Sequence, residues 1–271
     1  MLGLSAAVAG LLALVMALAW VTQAATRNAG WVDAFWSLGT GAGGVVAALW
    51  PLGTPLALRQ VLVAVLIAVW GLRLGVYIAE RSAKGHEDVR YARLRQQWGA
   101  GYPGKMFGFL MIQALAGWLL TLSVLVAARN PAASPAWADL LGVAILGVAV
   151  AGEALADWQM REFRRNTANR GGVMERGLWA WSRHPNYFFQ TLGWVAYPVL
   201  ALGPPGSPLL GLLALTGPVL MYWLLVHVSG IPPLEREMLA SRGEKFRRYQ
   251  QTTSAFFPLP PRFFARKVPR P

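Results

Sequence analysis

Apolar stretches of about 20 residues recur along the chain, at roughly 2–24, 31–50, 56–80, 107–128, 137–160, 187–203 and 208–229. At 1.5 Å per residue, such a stretch crosses the ~30 Å hydrocarbon layer of a bilayer as a helix. The pattern predicts an all-α, polytopic membrane protein with seven transmembrane helices. The first stretch, Leu2 to Ala25, has no basic residue ahead of it, exceeds the core of a signal peptide in length and is followed by further spans. It reads as a retained helix. No internal repeat is evident, and the Pro/Arg-rich end, Pro258 to Pro271, reads as an irregular tail. The expectation is a single transmembrane domain over 1–271 with a C-terminal cytoplasmic tail from about 230 to 271.

Composition agrees: 55% of the 271 residues are hydrophobic and 14% are charged, too apolar for soluble domains of this size. The chain has no cysteine, which removes a disulfide framework, a thiolate nucleophile and a cysteine zinc site. The formal charge is +13, yet its distribution points to lipid and not to nucleic acid. With seven spans, 22 of the 25 basic residues fall on one side of the membrane, leaving Arg59 and Arg129 opposite and Arg73 inside a span. Basic loops stay in the cytoplasm, held there by insertion and anionic headgroups. This bias predicts an outer N-terminus, a cytoplasmic C-terminus and a cytoplasmic mouth for any water-soluble cofactor.

Ionisable groups inside spans are costly and therefore candidates for function. Asp33 stands among aromatics in Trp31-Val-Asp-Ala-Phe-Trp36, as a proton donor or as a carboxylate favoured by the helix start. Glu153, Asp157, Arg161 and Arg164 project from one side of the fifth span, either a self-neutralising stripe or the edge of an anion site. Arg165 adds to an excess of guanidinium groups suited to phosphate. A buried pairing of Arg73 with Asp33 is expected. His227 is a lone histidine on an apolar segment and reads as hydrogen-bonded core. No second histidine stands three or four residues away, and no metal site is expected.

Between the fifth and sixth spans runs Arg176-Gly-Leu-Trp-Ala-Trp-Ser-Arg-His-Pro-Asn-Tyr187, with Pro185 at a helix start whose free N–H groups favour an anion. Its Arg183-His-Pro-Asn-Tyr187 string resembles the signature of steroid 5-alpha-reductase-like membrane proteins, a superfamily with sterol reductases and isoprenylcysteine methyltransferases. The resemblance extends to Asp157-Trp-Gln-Met-Arg-Glu-Phe-Arg164, Ser229-Gly-Ile-Pro-Pro-Leu-Glu235, Trp31-Val-Asp-Ala-Phe-Trp36, Glu87-Asp-Val-Arg-Tyr91 and Tyr249-Gln-Gln-Thr-Thr-Ser-Ala-Phe-Phe-Pro258. Together these look like a bacterial branch of unknown function, and imply a multi-pass protein of the bacterial inner membrane.

The resemblance implies NADPH in a cytoplasm-facing cavity and a lipophilic substrate reached from the membrane. It assigns Asp157, Arg164 and Asn186 to the nucleotide and matches Trp194 to a tryptophan further along the same span. His184, Tyr187, Glu235 and Tyr249 occupy signature positions at the cofactor cavity, and Arg161 and Arg183 join Arg164 in the cluster that suits the phosphates. The acid that meets the substrate carbonyl in the reductases corresponds to Asp33, and the tyrosine that assists it corresponds to Trp70, which has a donor N–H but no transferable proton. Tyr77 lies two helical turns further on. Gln190 stands where relatives commonly carry glutamate.

The leading reading is an integral-membrane oxidoreductase that transfers hydride from NADPH to an activated C=C of a lipid, the bundle excluding water. The runner-up is a lipid or prenyl methyltransferase using S-adenosylmethionine, which carries no phosphate and would leave most of the arginines solvated. A transporter or scaffold is the third reading, although no paired halves are found.

Overall fold

The computed structural model describes residues 2–51, 56–85, 89–131, 134–202 and 212–260. Their regular structure is helical, with no strand among the described residues. Six helical segments are long and apolar enough to cross a membrane: Gly3–Thr26, Trp31–Leu49, Leu58–Ala83, Arg90–Ala128, Trp137–Arg165 and Thr216–Arg242. The stretch predicted at 187–203 begins as the helix Pro185–Leu200, whose 16 residues rise only about 24 Å. It falls short of the hydrocarbon thickness, and 203–211 lie outside the described residues.

Helices are numbered in chain order: α1 Leu2–Thr26, α2 Trp31–Leu49, α3 Leu58–Ala83, α4 Val89–Trp98, α5 Tyr102–Ala128, α6 Trp137–Arg165, α7 Pro185–Leu200, α8 Thr216–Trp223, α9 Ile231–Arg242 and α10 Glu244–Thr252. The chain divides into two compact units: residues 1–144 with 195–220, and residues 145–194 with 221–271.

The first unit is a bundle in which α1, α2, α3 and α5 pack together. Leu4, Val8, Leu12, Met16 and Ala19 recur every three or four residues on α1 and form its buried stripe, against Val32 and Ala47 of α2 and Met106, Leu110 and Ala114 of α5. The opposite faces stay apolar: Val61, Val65, Val69, Leu72 and Val76 of α3 and Leu14, Leu18 and Val21 of α1 are all exposed. Such stripes suit hydrocarbon and would be a liability in water. The chain is therefore a multi-pass membrane protein.

Without a hydrophobic drive between helices in lipid, close approach is what binds them, and small residues permit it. At the α2–α3 seam, a Cβ on Gly71 would lie 2.9 Å from the Cα of Gly41, and one on Gly44 would lie 2.6 Å from Ile67. One buried ion pair also ties this unit. Arg59 donates from Nε to Asp139 Oδ1 at 2.8 Å and from Nη2 to Oδ2 at 3.0 Å, with both side chains almost fully enclosed. Ser134 Oγ and the Ala136 N–H complete the carboxylate, and Arg59 Nη1 reaches the carbonyl of Asn130.

In the second unit, the α6 and α7 portions pack through glycines: a Cβ on Gly152 would strike Phe189, and Gly193 lies against Leu146 and Ala149. A 3-10 turn, Gly177–Ala180, is fastened to α6 by Trp179 Nε1 donating to Ala156 O at 3.0 Å and by the Leu178 N–H donating to Gln159 Oε1 at 3.0 Å. Gly177 has φ +59°, and a side chain there would meet Gln159. Residues 231–252, at the start of the expected C-terminal tail, form two helices. After a π-helical turn at Leu224–Val228, Pro232 and Pro233 open α9, and Phe246 and Tyr249 bury one face of α10. His227, expected in the core, is exposed in that π-helical turn, its ring edge-to-face with Tyr222 at 5.8 Å. No residue of that turn is buried, so no apolar stripe encloses the ring.

Gly71→Ala is expected to lower stability by about 1–3 kcal/mol, because backbone stands opposite the new methyl group and cannot yield as a side chain would. A lowered thermal midpoint of the protein purified in detergent, relative to wild type, is the check.

Candidate functional site

In the first unit, Asp33 sits in the first turn of α2 and gathers residues from two other helices. Arg90 Nη2 donates to its Oδ2 at 2.5 Å, and Tyr91 Oη donates to its Oδ1 at 2.7 Å, both from the start of α4. Tyr91 Oη in turn accepts from Gln113 Nε2 of α5 at 3.2 Å, and the backbone carbonyl of Gln113 accepts from Trp36 Nε1 at 2.9 Å. The partner of Asp33 here is thus Arg90. The guanidinium of Arg73, expected in that place, lies over the ring of Tyr77 at 5.6 Å. Trp70 is buried on α3, edge-to-face with Trp36 at 6.4 Å. Sequence reasoning missed Arg90, Tyr91 and Gln113 as members of this cluster. The signal was present in Glu87-Asp-Val-Arg-Tyr91, of which 87 and 88 lie outside the described residues.

In the second unit, Glu235 of α9 is a hub. Its Oε1 accepts from Arg183 Nε at 2.7 Å and its Oε2 from Arg183 Nη2 at 3.1 Å, a bidentate fork. His184 Nε2 meets Oε1 at 2.9 Å, and Gln250 Nε2 donates to Oε2 at 2.6 Å. The remaining guanidinium nitrogen of Arg183 donates to the carbonyls of Gln250 and Thr253. Tyr249 Oη donates to the carbonyl of Trp179. Four residues expected at the cofactor cavity therefore direct these donors and acceptors at one another or at backbone, and join the 179–184 segment to α9, α10 and the segment that follows. The N–H of Arg183 donating to Ser254 O, and that of Leu259 donating to Trp181 O, extend the same join.

His184 is buried, and that burial is the largest influence on its ring, holding the pKa below the ordinary histidine value although Glu235 pulls the other way. Burial likewise pushes the Tyr249 phenol up. The His184 ring stacks on that of Tyr187, 5.3 Å between centroids and 7° between planes.

A second group of expected residues does come together in this unit. Asp157, 5% exposed, faces Asn186 of α7, whose Nδ2 lies 3.5 Å from its Oδ1. The amide oxygen of Asn186 accepts from the Tyr187 N–H at 3.1 Å. Glu153 is buried one turn before Asp157, whereas Arg161 and Arg164 are exposed one and two turns after it. The helix face thus passes from enclosed carboxylates to solvent-facing guanidinium groups. Trp194 is almost fully enclosed further along α7.

Glu235→Gln is expected to destabilise the protein by about 3–5 kcal/mol, since it leaves the guanidinium of Arg183 enclosed without a counter-charge; chemical unfolding in detergent measures it. His184 carries a separate, pH-dependent expectation. Its folded pKa lies below the unfolded one, so the unfolded chain binds a proton first as pH falls through the ordinary histidine range. Its contribution is present above that range and lost below it. Thermal midpoints between pH 7 and pH 5 should therefore fall more steeply for wild type than for His184→Gln.

Comparison with known proteins gives a family and no activity. An uncharacterized protein of Schizosaccharomyces pombe is 27% identical over 268 residues, covering 88% of this chain and 75% of the fungal one. No solved structure matches. The family described as "Protein of unknown function (DUF1295)" matches residues 19–253, which contain Asp33, Asp157, Asn186 and Glu235. That match takes in most of the chain, and the protein belongs to this family.

Proposed function

We propose that this protein is an integral-membrane, NADPH-dependent reductase that transfers hydride to an activated C=C of a lipophilic, steroid-like or other lipid substrate. The observation that carries the reading is the meeting of Asp157 with Asn186, 29 residues apart, on a helix whose next turns present Arg161 and Arg164. An enclosed carboxylate facing a long-range amide suits the ribose and amide groups of a nucleotide. Exposed guanidinium groups beyond it suit the 2′-phosphate and pyrophosphate. The residues fit the cofactor in that part. Arg183, Glu235 and Tyr249 fit it less well, their polar atoms being engaged within the protein.

NADPH, when bound, supplies the hydride. Asp157 and Asn186 orient it, Arg161 and Arg164 hold its phosphates, and the Glu235 hub keeps the His184–Tyr187 stack and the start of α7 in place. In the first unit, the Asp33 cluster, with Trp70 and Tyr77 on α3, offers polar contacts within an apolar bundle to a lipid substrate. The proposal includes seven spans with the N-terminus outside and the C-terminus in the cytoplasm, on the charge asymmetry of the loops. It also includes the bacterial inner membrane and kinship with the steroid reductases, on the shared strings.

A methyltransferase using S-adenosylmethionine is the second reading, favoured by the engagement of Arg183 away from any phosphate. Titration of the purified protein with each cofactor separates the two. NADPH should raise the thermal midpoint, and Arg164→Ala should weaken its binding by about 1–3 kcal/mol through loss of a charge-assisted contact. Stabilisation by S-adenosylmethionine alone would remove the reductase reading.

A further inference from the structure

We infer that a groove beside α10, in the second unit, is a binding site for a phosphate ester that also carries an ammonium group, the chemistry of a phosphoethanolamine head. The groove has a volume of about 380 Å³ and is lined by Val173 and Glu175, ahead of the 3-10 turn, and by Lys245, Arg248 and Thr252 of α10. The three α10 residues follow one another at spacings of three and four, so one face of the helix presents them, while Phe246 and Tyr249 are buried on the other. Both walls are tied in place. Arg242 Nε donates to the Gly172 carbonyl at 3.2 Å, and Tyr249 Oη donates to that of Trp179, which joins the segment carrying Glu175 to α9 and α10.

The charges of the groove set the ligand. On α10, Arg247 is paired with Glu244 at 2.8 Å, whereas among the described residues no ion pair engages Lys245, Arg248 or Glu175. Burial and then the charge of Glu175 push the Tyr249 phenol up, so the carboxylate lies on the α10 side. The Thr252 hydroxyl donates to the Arg248 carbonyl at 3.1 Å, which leaves its oxygen to accept. Two cations suit a phosphate, the guanidinium as a fork and the ammonium as a point charge. A carboxylate in the same groove repels an anion that brings nothing else, and together with the Thr252 oxygen it offers acceptors to a cation. One exposed pair contributes little, but charges that converge on a single ligand in a groove reinforce one another. A ligand that brings phosphate and ammonium together matches every group; a plain phosphate or a plain amine leaves one side unmatched. Lys245 follows shortly after Thr216–Arg242, the last described segment long and apolar enough to cross a membrane, so a lipid headgroup and a free ester are both sources of this chemistry.

This inference does not rest on the reductase reading and is tested without cofactor. The protein, freed of lipid in dodecyl maltoside, is titrated calorimetrically with O-phosphoethanolamine and with dihexanoylphosphatidylethanolamine. Glycerol 3-phosphate and dihexanoylphosphatidylglycerol, which lack the ammonium, and ethanolamine, which lacks the phosphate, should each bind about tenfold more weakly. Binding of the soluble ester assigns the site to free esters; binding of the lipid alone assigns it to a headgroup. Glu175→Gln should abolish the preference for the ammonium-bearing probes, and Lys245→Gln with Arg248→Gln should weaken every phosphate probe by about tenfold. All three side chains are exposed, and the variants should keep the thermal midpoint of wild type. No saturable binding of either ammonium-bearing probe, equal affinity for the probes that lack the ammonium, a preference that survives Glu175→Gln, or displacement by NADPH would each overturn it. Failure of NADPH to bind at all removes the reductase reading and leaves this site standing.

Discussion

A polar group carried into an apolar bundle must find its partner inside the protein, because hydrocarbon supplies none, and both units are organised by that requirement. Three carboxylates show how it is met. Asp139 closes on Arg59 and is completed by a serine and a backbone N–H. Asp33 takes a guanidinium and a phenol. Glu235 takes a guanidinium fork, an imidazole and an amide. In each case the partner lies far along the chain, so the ion pair fixes which segments meet. Pairs of this kind add little net stability over a well-packed apolar substitute, yet breaking one is costly, which makes them devices of register.

The Glu235 hub has a consequence for the Arg183-His-Pro-Asn-Tyr187 string. Two of its members, Arg183 and His184, turn toward the protein, while Asn186 turns toward Asp157. The string therefore divides its work. Its first half anchors the loop to α9, and its second half opens α7 with an amide turned to Asp157 and a ring stacked on His184. A motif of five residues can look uniformly functional in one dimension while its side chains point to different tasks in three.

The Asp33 cluster departs from the reductase pattern in a related way. Trp70 stands where the resemblance calls for a phenol, and it is enclosed against Trp36. The phenol that does reach the acid is Tyr91, from a different helix.

Much of the architecture was legible in the chain, because apolar runs near 20 residues long leave a bilayer helix as the only way to satisfy their backbone groups. The acid-to-arginine face of α6 follows from its periodicity. The sequence also determined which residues carry charge into apolar surroundings, Asp33 and Asp157 among them. It could not decide with whom each would pair. Arg73 read as the partner of Asp33, Arg59 read only as a charge on the outer side, and His227 read as core. Only tertiary structure resolved these, since an ion pair depends on where two distant segments cross, and nothing in the local pattern of one segment specifies the position of the other.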